Sequence, residues 1–133
     1  MENVCYIHHS RVTFADTDCS GWIHFPKIFR HVEEAEHAYL RQQEIVVISR
    51  EEGGWPRVHV ECDYKRPLHF DDEIEVHLGI ERMGAASVSW IFEVKRGGEI
   101  AAFGKMTTVR VDPLGKPMVM DEALRAKLLP PAV

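Results

Sequence analysis

Residues 25–43 read FPKIFRHVEEAEHAYLRQQ, and this stretch has the apolar spacing of a long amphipathic helix. Its apolar residues recur at steps of four, three and four positions, on one helical face: Ile28, Val32, Ala35 and Tyr39. Pro26 suits the first turn of a helix, because its missing N–H has no partner inside the helix there. The stretch therefore predicts one long helix, whose apolar face must be covered by other elements.

The sequence on both sides of this helix predicts β-strands. Residues 4–14, VCYIHHSRVTF, are rich in β-branched and aromatic types and read as a first strand. After Pro56, apolar residues recur at every second position in three runs, 58–64, 74–80 and 88–94, and residues 99–112 predict a last, longer strand. The joints between these strands are short, and parallel crossovers need a dozen residues or more, so the strands must be antiparallel.

The segments between and after these elements are less regular. Residues 46–48, VVI, suit either a short second helix or a buried connector, and the following EEGGWP ends whatever precedes it. DPLGKP closes the last strand, and DEALRAKLL predicts a short C-terminal helix. We therefore expect an α+β fold in which one long helix crosses the concave face of a curved antiparallel sheet. A chain of 133 residues predicts a single domain, residues 1–133.

Bulk composition narrows the classes of function. The formal net charge is −5, which argues against binding nucleic acid over a broad basic surface. No apolar run approaches the roughly 18 residues of a membrane span, and the N-terminus MENVCYIHHS lacks the pattern of a signal peptide. Three cysteines without a CxxC pair predict reduced thiols. We expect a cytoplasmic protein with no membrane span.

The motif FADTDCSGWIHFP, residues 14–26, joins the first strand to the helix and admits three interpretations. Asp16, Asp18, Ser20 and the next glycine match the start of a calcium loop, but the twelfth position is Lys27 where a bidentate glutamate is required. An ordinary turn explains the clustering of aspartate, serine and glycine. The third interpretation is the acid group of an enzyme.

The helix start gives the third interpretation its chemistry. The first N–H groups of a helix lack internal partners and carry partial positive charge. Near this end the donors without internal partners belong to Phe25, Lys27 and Ile28, and Trp22, Ile23 and Phe25 are expected to shield them from water. Such N–H groups can hold a carbonyl oxygen as it becomes an oxyanion. A carboxylate just upstream would then attack the carbonyl carbon or activate a water molecule.

The run VTFADTDCSGWIHFPKIFRHVEEAE resembles the signature of the 4-hydroxybenzoyl-CoA thioesterase family, which has the hotdog fold. The likeness extends to the step YKRP at residues 64–67 and to VDPLGKP, and it covers about residues 8 to 120. It implies a five- to six-stranded antiparallel sheet wrapped around a central helix. It also implies homodimers or homotetramers and metal-independent hydrolysis of acyl-CoA thioesters, with no cofactor besides the CoA of the substrate.

The resemblance assigns roles to individual positions. Asp18 matches the catalytic carboxylate, and Phe25 matches the residue whose backbone N–H holds the thioester oxygen. Glu33 falls where some members place an acid on the central helix. Residues expected to contact substrate are Trp22 and His24 in the motif and Lys65, Arg66 and Arg82 for the CoA phosphates. His24 stands one place before the family's usual histidine, and the turn MGAAS at 83–87 lacks the basic residues that some members carry there.

Other residues of the sequence suit structural roles, and other functions compete with thioester hydrolysis. Glu33, Glu34 and Glu36 suit a solvated helix face. No set of the eight histidines has the spacing of a zinc site, so we expect no metal. The alternative function is a non-catalytic hotdog module that binds an acyl group or an acidic acyl-carrier protein. A dehydratase of the same broad fold is less well supported, because no histidine occupies the matching position.

Overall fold

The computed structural model describes Met1 and residues 3–129. The elements follow in this order: β1 (Val4–Arg11), two 3-10 turns (Phe14–Asp16 and Phe25–Lys27), α1 (Ile28–Gln42), β2 (Arg57–Tyr64), β3 (Glu73–Met83), β4 (Ser87–Arg96), β5 (Glu99–Val109) and α2 (Glu122–Leu128). The predicted architecture, one long helix with five antiparallel strands, is confirmed. Among the described residues, no helix has the length and apolar character needed to cross a membrane.

The five strands form one sheet in the order β1-β3-β4-β5-β2, and every neighbouring pair is antiparallel. The chain therefore crosses from one edge of the sheet to the other between β1 and β2, and α1 lies within that connection. Gly104 of β5 permits a close approach of β2, since a Cβ there would lie 2.0 Å from the Glu61 carbonyl oxygen. Both edge strands, β1 and β2, keep one side without a strand partner in the single chain.

The predicted apolar face of α1 is the buried one. Ile28, Val32, Ala35 and Tyr39 are all at most 1% exposed. The helix packs mainly on β1 and β3. The Tyr39 ring meets the Trp90 ring of β4 edge-on, with their centroids 6.1 Å apart. Burying each large apolar side chain stabilises the fold by about 1.5–3 kcal/mol, so this layer accounts for the position of α1.

Several predicted boundaries were wrong. The first strand ends at Arg11 because residues 14–16 turn into a 3-10 helix, and α1 is preceded by a 3-10 turn instead of starting at Phe25. Residues 46–48 form an irregular connector, with Val46 48% and Ile48 78% exposed, so neither a helix nor a fully buried segment is present. The last strand ends at Val109, three residues earlier than predicted.

The inner face of the sheet is not covered at β2. Val60 lies opposite the buried Met106, so both side chains project from the same face of the sheet. Nevertheless Val60 and Tyr64 are each 44% exposed. Because α1 lies over the β1 half of the sheet, the residues that the structure describes cover the core-facing side chains at the other edge only in part.

Candidate active site

A tight turn holds Asp18 in place. Its carboxylate Oδ1 accepts hydrogen bonds from the Ser20 N–H at 2.9 Å and the Ser20 hydroxyl at 2.5 Å, and its carbonyl oxygen accepts from the Gly21 N–H at 3.1 Å. Gly21 has φ +82°, a conformation that favours glycine. The side chain is 43% exposed in the single chain. The bonds from Ser20 lower the pKa of Asp18, so the group is an anion at neutral pH.

The turn is attached to the helix start through backbone contacts. The Asp18 N–H donates to the Trp22 carbonyl at 3.1 Å, and the His24 N–H donates to the Asp16 carbonyl at 2.7 Å. His24 Nδ1 lies 4.0 Å from Asp18 Oδ2. This contact places the Asp18 carboxylate next to the residue that precedes Phe25.

Phe25 opens the 3-10 turn that leads into α1. In the part of the chain that the structure describes, its N–H has no hydrogen-bond acceptor. Its carbonyl oxygen accepts a 2.6 Å bond from the Tyr64 hydroxyl of β2. Burial raises the pKa of Tyr64 to about 12, so the hydroxyl keeps its proton and remains a donor at neutral pH. Tyr64 thus holds the Phe25 residue, a role that its sequence position alone did not reveal.

Aromatic side chains surround this turn, but they do not shield it within one chain. The rings form edge-on or tilted pairs: Phe25 with Tyr64, Trp22 with His69, and Phe14 with Phe70. Trp22 is 50% and Phe25 64% exposed, so the predicted exclusion of water by these two side chains was wrong for the single chain. The cluster is instead an exposed apolar surface formed by aromatic residues of the motif and their ring partners.

Asp16 has the opposite environment from Asp18, although the two are only two residues apart. Its carboxylate is 1% exposed and lies between Arg30 and His31 of α1. Burial alone would raise the pKa of Asp16, but the hydrogen bonds from Arg30 and Thr13 outweigh it and hold that pKa well below its usual range. Sequence reasoning placed Asp16 only in a turn or a calcium loop.

The glutamates of α1 do not share one environment. Glu36 is 1% exposed and pairs with Arg57 at the start of β2, so its predicted place on a solvated face was wrong. The Glu33 side chain is 46% exposed. Its Oε2 lies 3.2 Å from a terminal nitrogen of the same Arg57 guanidinium. Arg57 thus ties Glu33 to the body of the fold, more than one helical turn beyond Ile28, the first residue of α1.

The buried position of Glu36 predicts a pH dependence of stability. Burial raises the pKa of Glu36 from 4.5 to about 7, so between these values the folded chain binds a proton that the unfolded chain has lost. Stability from this group therefore falls as pH rises from 4.5 to 7, by about 3 kcal/mol. Burial lowers the pKa of His31 and His37, so their contributions to stability rise over the same pH range. In urea unfolding at both pH limits, the Glu36 contribution should therefore appear as the difference in pH slope between the native protein and Glu36→Gln. Identical slopes in the two proteins would contradict the assignment.

The three basic residues proposed for CoA do not lie together in one chain. Lys65 and Arg66 directly follow Tyr64, and both N–H groups donate to the Ala101 carbonyl. The Lys65 ammonium lies 5.4 Å from the centroid of the Phe103 ring, and Arg66 Nε lies 3.3 Å from Glu99. The first residue of β3, Glu73, pairs with Arg11 at the end of β1, next to the motif. Arg82 lies near the other end of β3 and is therefore far from the motif.

The described residues contain no group of three or more His, Cys, Asp and Glu side chains arranged to hold a metal ion. In the motif itself, Asp16 and Asp18 point to different environments, one buried against α1 and the other on the surface. The carboxylates therefore do not converge as calcium ligands would. The arrangement suits attack on a nearby carbonyl group, either by the Asp18 carboxylate or by a water molecule that Asp18 activates.

Comparison with known proteins shows the family to which the chain belongs. A family described as the thioesterase-like superfamily matches residues 12–128. A 1,4-dihydroxy-2-naphthoyl-CoA hydrolase of Prochlorococcus marinus (strain MIT 9303) is 35% identical over 101 residues, which are 68% of this chain and 67% of the relative.

Solved structures show the same fold. A thioesterase from Thermus thermophilus, solved with coenzyme A and Zn, is 26% identical and superposes with a TM-score of 0.81, covering 96% of this chain and 95% of the other. A 1,4-dihydroxy-2-naphthoyl-CoA thioesterase from Synechocystis gives a TM-score of 0.82 at 22% identity, covering 92% of this chain and 94% of the other. At that identity the second likeness shows the fold alone.

Proposed function

The chain belongs to the thioesterase-like superfamily and is a thioester hydrolase of the hotdog fold, and we propose that it cleaves acyl-CoA thioesters with the carboxylate of Asp18. The single observation that carries this assignment is the fixed position of an ionised Asp18 beside a helix start. There the Phe25 N–H has no acceptor among the described residues.

Each group then has a role in the reaction. The thioester carbonyl oxygen accepts a hydrogen bond from the Phe25 N–H, which stabilises the negative charge that develops on that oxygen. In one route Asp18 attacks the carbonyl carbon, the C–S bond breaks, and water hydrolyses the resulting anhydride. In the other route Asp18 takes a proton from the attacking water. Both routes consume one water and release the acid and the thiol.

We propose that three further residues support this chemistry: His24, Trp22 and Glu33. His24 lies close enough to Asp18 to contact the acyl group or the attacking water. Trp22 offers an exposed ring beside the turn. Glu33 keeps a half-exposed carboxylate on α1, but its pairing with Arg57 makes it a secondary participant.

The exposed aromatic rings of the motif and of Tyr64 favour an aromatic acyl group. Phe25 and Tyr64 meet edge-on beside the carboxylate turn, and an aromatic ring packs well in such offset or edge-on arrangements. Relatives named as hydrolases of 1,4-dihydroxy-2-naphthoyl-CoA act on a thioester of this kind. We propose a bicyclic or monocyclic aroyl-CoA as the preferred substrate.

A panel of thioesters tests the function and the preference together. Hydrolysis should be followed by loss of thioester absorbance with benzoyl-CoA, a hydroxynaphthoyl-CoA, cyclohexanecarbonyl-CoA and hexanoyl-CoA. The matched pair is benzoyl and cyclohexanecarbonyl, which have similar size but differ in aromaticity. We expect kcat/KM to be about two- to tenfold higher for the aromatic member, since an aromatic pair contributes about 0.5–1.5 kcal/mol beyond buried area. Equal rates for the pair would contradict the preference, and no hydrolysis of any member would contradict the function.

The carrier of the acyl group is also part of this proposal. Lys65 and Arg66 are exposed and follow Tyr64, so they can meet the phosphates of CoA as it leaves the site. Arg82 can join them only from another copy of the chain, because it lies at the other end of the sheet. Presenting the same acyl group on acyl-carrier protein in the panel separates the two carriers. Tight binding of that carrier without turnover would favour the alternative, a non-catalytic binding module.

We propose that two copies pair through β2 to complete the site. The strand is a sheet edge with uncovered apolar side chains, including Val60, on the inner face. Pairing there would cover Phe25 and Tyr64 with a second chain and supply the shielding that one chain lacks. A tetramer of two such pairs is compatible with this arrangement.

A cytoplasmic location accords with the unpaired state of Cys5, Cys19 and Cys62.

A further inference from the structure

The geometry points to Asp16 and Arg30 as positioning residues for the reaction. Their ion pair keeps the Asp18 turn and the Phe25 N–H in register with each other. This inference rests on the proposed function, because it concerns the same two reacting groups. Neither residue is expected to touch the substrate.

The Asp16 carboxylate is bound from two elements at once. The Arg30 guanidinium donates two hydrogen bonds to it, from Nε to Oδ1 at 2.7 Å and from a terminal nitrogen to Oδ2 at 2.6 Å. The N–H and the hydroxyl of Thr13, which lies just after β1, donate to Oδ2 at 2.8 and 3.0 Å. A bidentate pair restricts direction as well as distance, so the carboxylate is fixed relative to α1.

His31 extends this network to β1. Its Nε2 lies 2.9 Å from Asp16 Oδ2, and its Nδ1 lies 2.7 Å from the Ser10 hydroxyl. Nε2 also lies 3.1 Å from a terminal nitrogen of Arg30, so the ring contacts both members of the ion pair as well as Ser10. Burial lowers the pKa of His31, which keeps the ring neutral. The ring is 0% exposed, so water does not compete for these contacts.

The main chain of Asp16 carries this fixed position to the reacting groups. Its carbonyl accepts the His24 N–H at 2.7 Å, and His24 is bonded to Phe25. Asp18 follows two residues later, in a turn whose own bonds to Ser20 and Trp22 are local. A shift of Asp16 therefore moves Asp18 along the chain and Phe25 through the hydrogen bond to His24. A misplacement near 1 Å can reduce a rate by about 100-fold.

The pair between Arg57 and the buried Glu36 does not have this relation to the motif. Arg57 and Glu36 join the middle of α1 to the start of β2 and make no hydrogen bond to residues 16–25 among the described contacts. The pair between Arg30 and Asp16, in contrast, includes a residue of the motif. The Arg30 side chain is 38% exposed, so small solutes can reach its position.

The test replaces Arg30 with alanine, with Arg41→Ala as a matched control on the exposed end of the same helix. We expect Arg30→Ala to lower kcat for the best substrate of the panel by about tenfold or more, with KM changed by less than about threefold. Guanidinium chloride at tens of millimolar should restore part of the kcat of Arg30→Ala. Sodium chloride at the same concentration is the control and should not. Circular dichroism shows whether the variant is folded under assay conditions, and Asp16→Asn provides a second variant if it is not.

Asp18→Asn separates this inference from the proposed function. If Asp16 and Arg30 act through Asp18, Arg30→Ala should cost much less in the Asp18→Asn background, because residues that act as a unit are not additive. The inference is overturned by a folded Arg30→Ala with kcat near that of the parent, or by an equal loss in both backgrounds. Full activity of Asp18→Asn alone would overturn the proposed function, and the inference with it.

Discussion

Replacement of Asp18 by asparagine should lower kcat for acyl-CoA hydrolysis by on the order of 100-fold or more. The amide is nearly isosteric with the carboxylate and can still accept the bonds from Ser20 that shape the turn. What it lacks is the negative charge, and with it both nucleophilic attack and proton abstraction. Since Asp18 is exposed and its partners are local, the fold should be unaffected.

Steady-state kinetics with the best substrate of the panel measure this loss. The matched control is Asp63→Asn, which makes the same chemical change at an exposed aspartate of β2. Thermal unfolding of both variants should fall close to that of the parent. If Asp18→Asn retains activity within about threefold of the parent while remaining folded, Asp18 is not the reacting carboxylate.

Replacement of Val60 by aspartate should separate the proposed dimer into single chains of 15.3 kDa. Val60 lies on the inner face at the open edge strand, so pairing of two β2 strands would bury its side chain. An unpaired charge buried at such an interface costs several kcal/mol, which corresponds to a rise in the dimer Kd of about 100-fold or more. Activity should fall with the dimer population, because Phe25 and Tyr64 would lose their cover.

His59→Asp is the control for this experiment. This substitution introduces the same new charge one residue earlier, opposite Thr107 on the outer face of the sheet, where water remains accessible. Light scattering over a range of micromolar concentrations should show a species of twice the chain mass for the parent and for His59→Asp. A single-chain mass for the parent at every concentration would remove the basis of the dimer proposal.

Local rules were enough to predict the main elements and the turn that bears Asp18. The four-three-four spacing from Ile28 to Tyr39 predicted the buried face of α1, and the alternation around Trp90 and Phe92 predicted core strands. Asp18 and Gly21 form a turn through bonds within four residues of each other. These features depend on neighbours in sequence, so periodicity and turn chemistry reveal them.

Only the tertiary structure decided which charged groups are buried and which elements complete the site. Asp16 and Asp18 are similar in sequence, yet only Asp16 meets Arg30, fourteen residues away, and is buried. Glu36 is buried because Arg57 reaches it from β2, and Phe25 is held by Tyr64, thirty-nine residues later. Such contacts require the strand order to be known. Burial and pairing of a charge depend on what the folded chain brings beside it, and no local pattern records that.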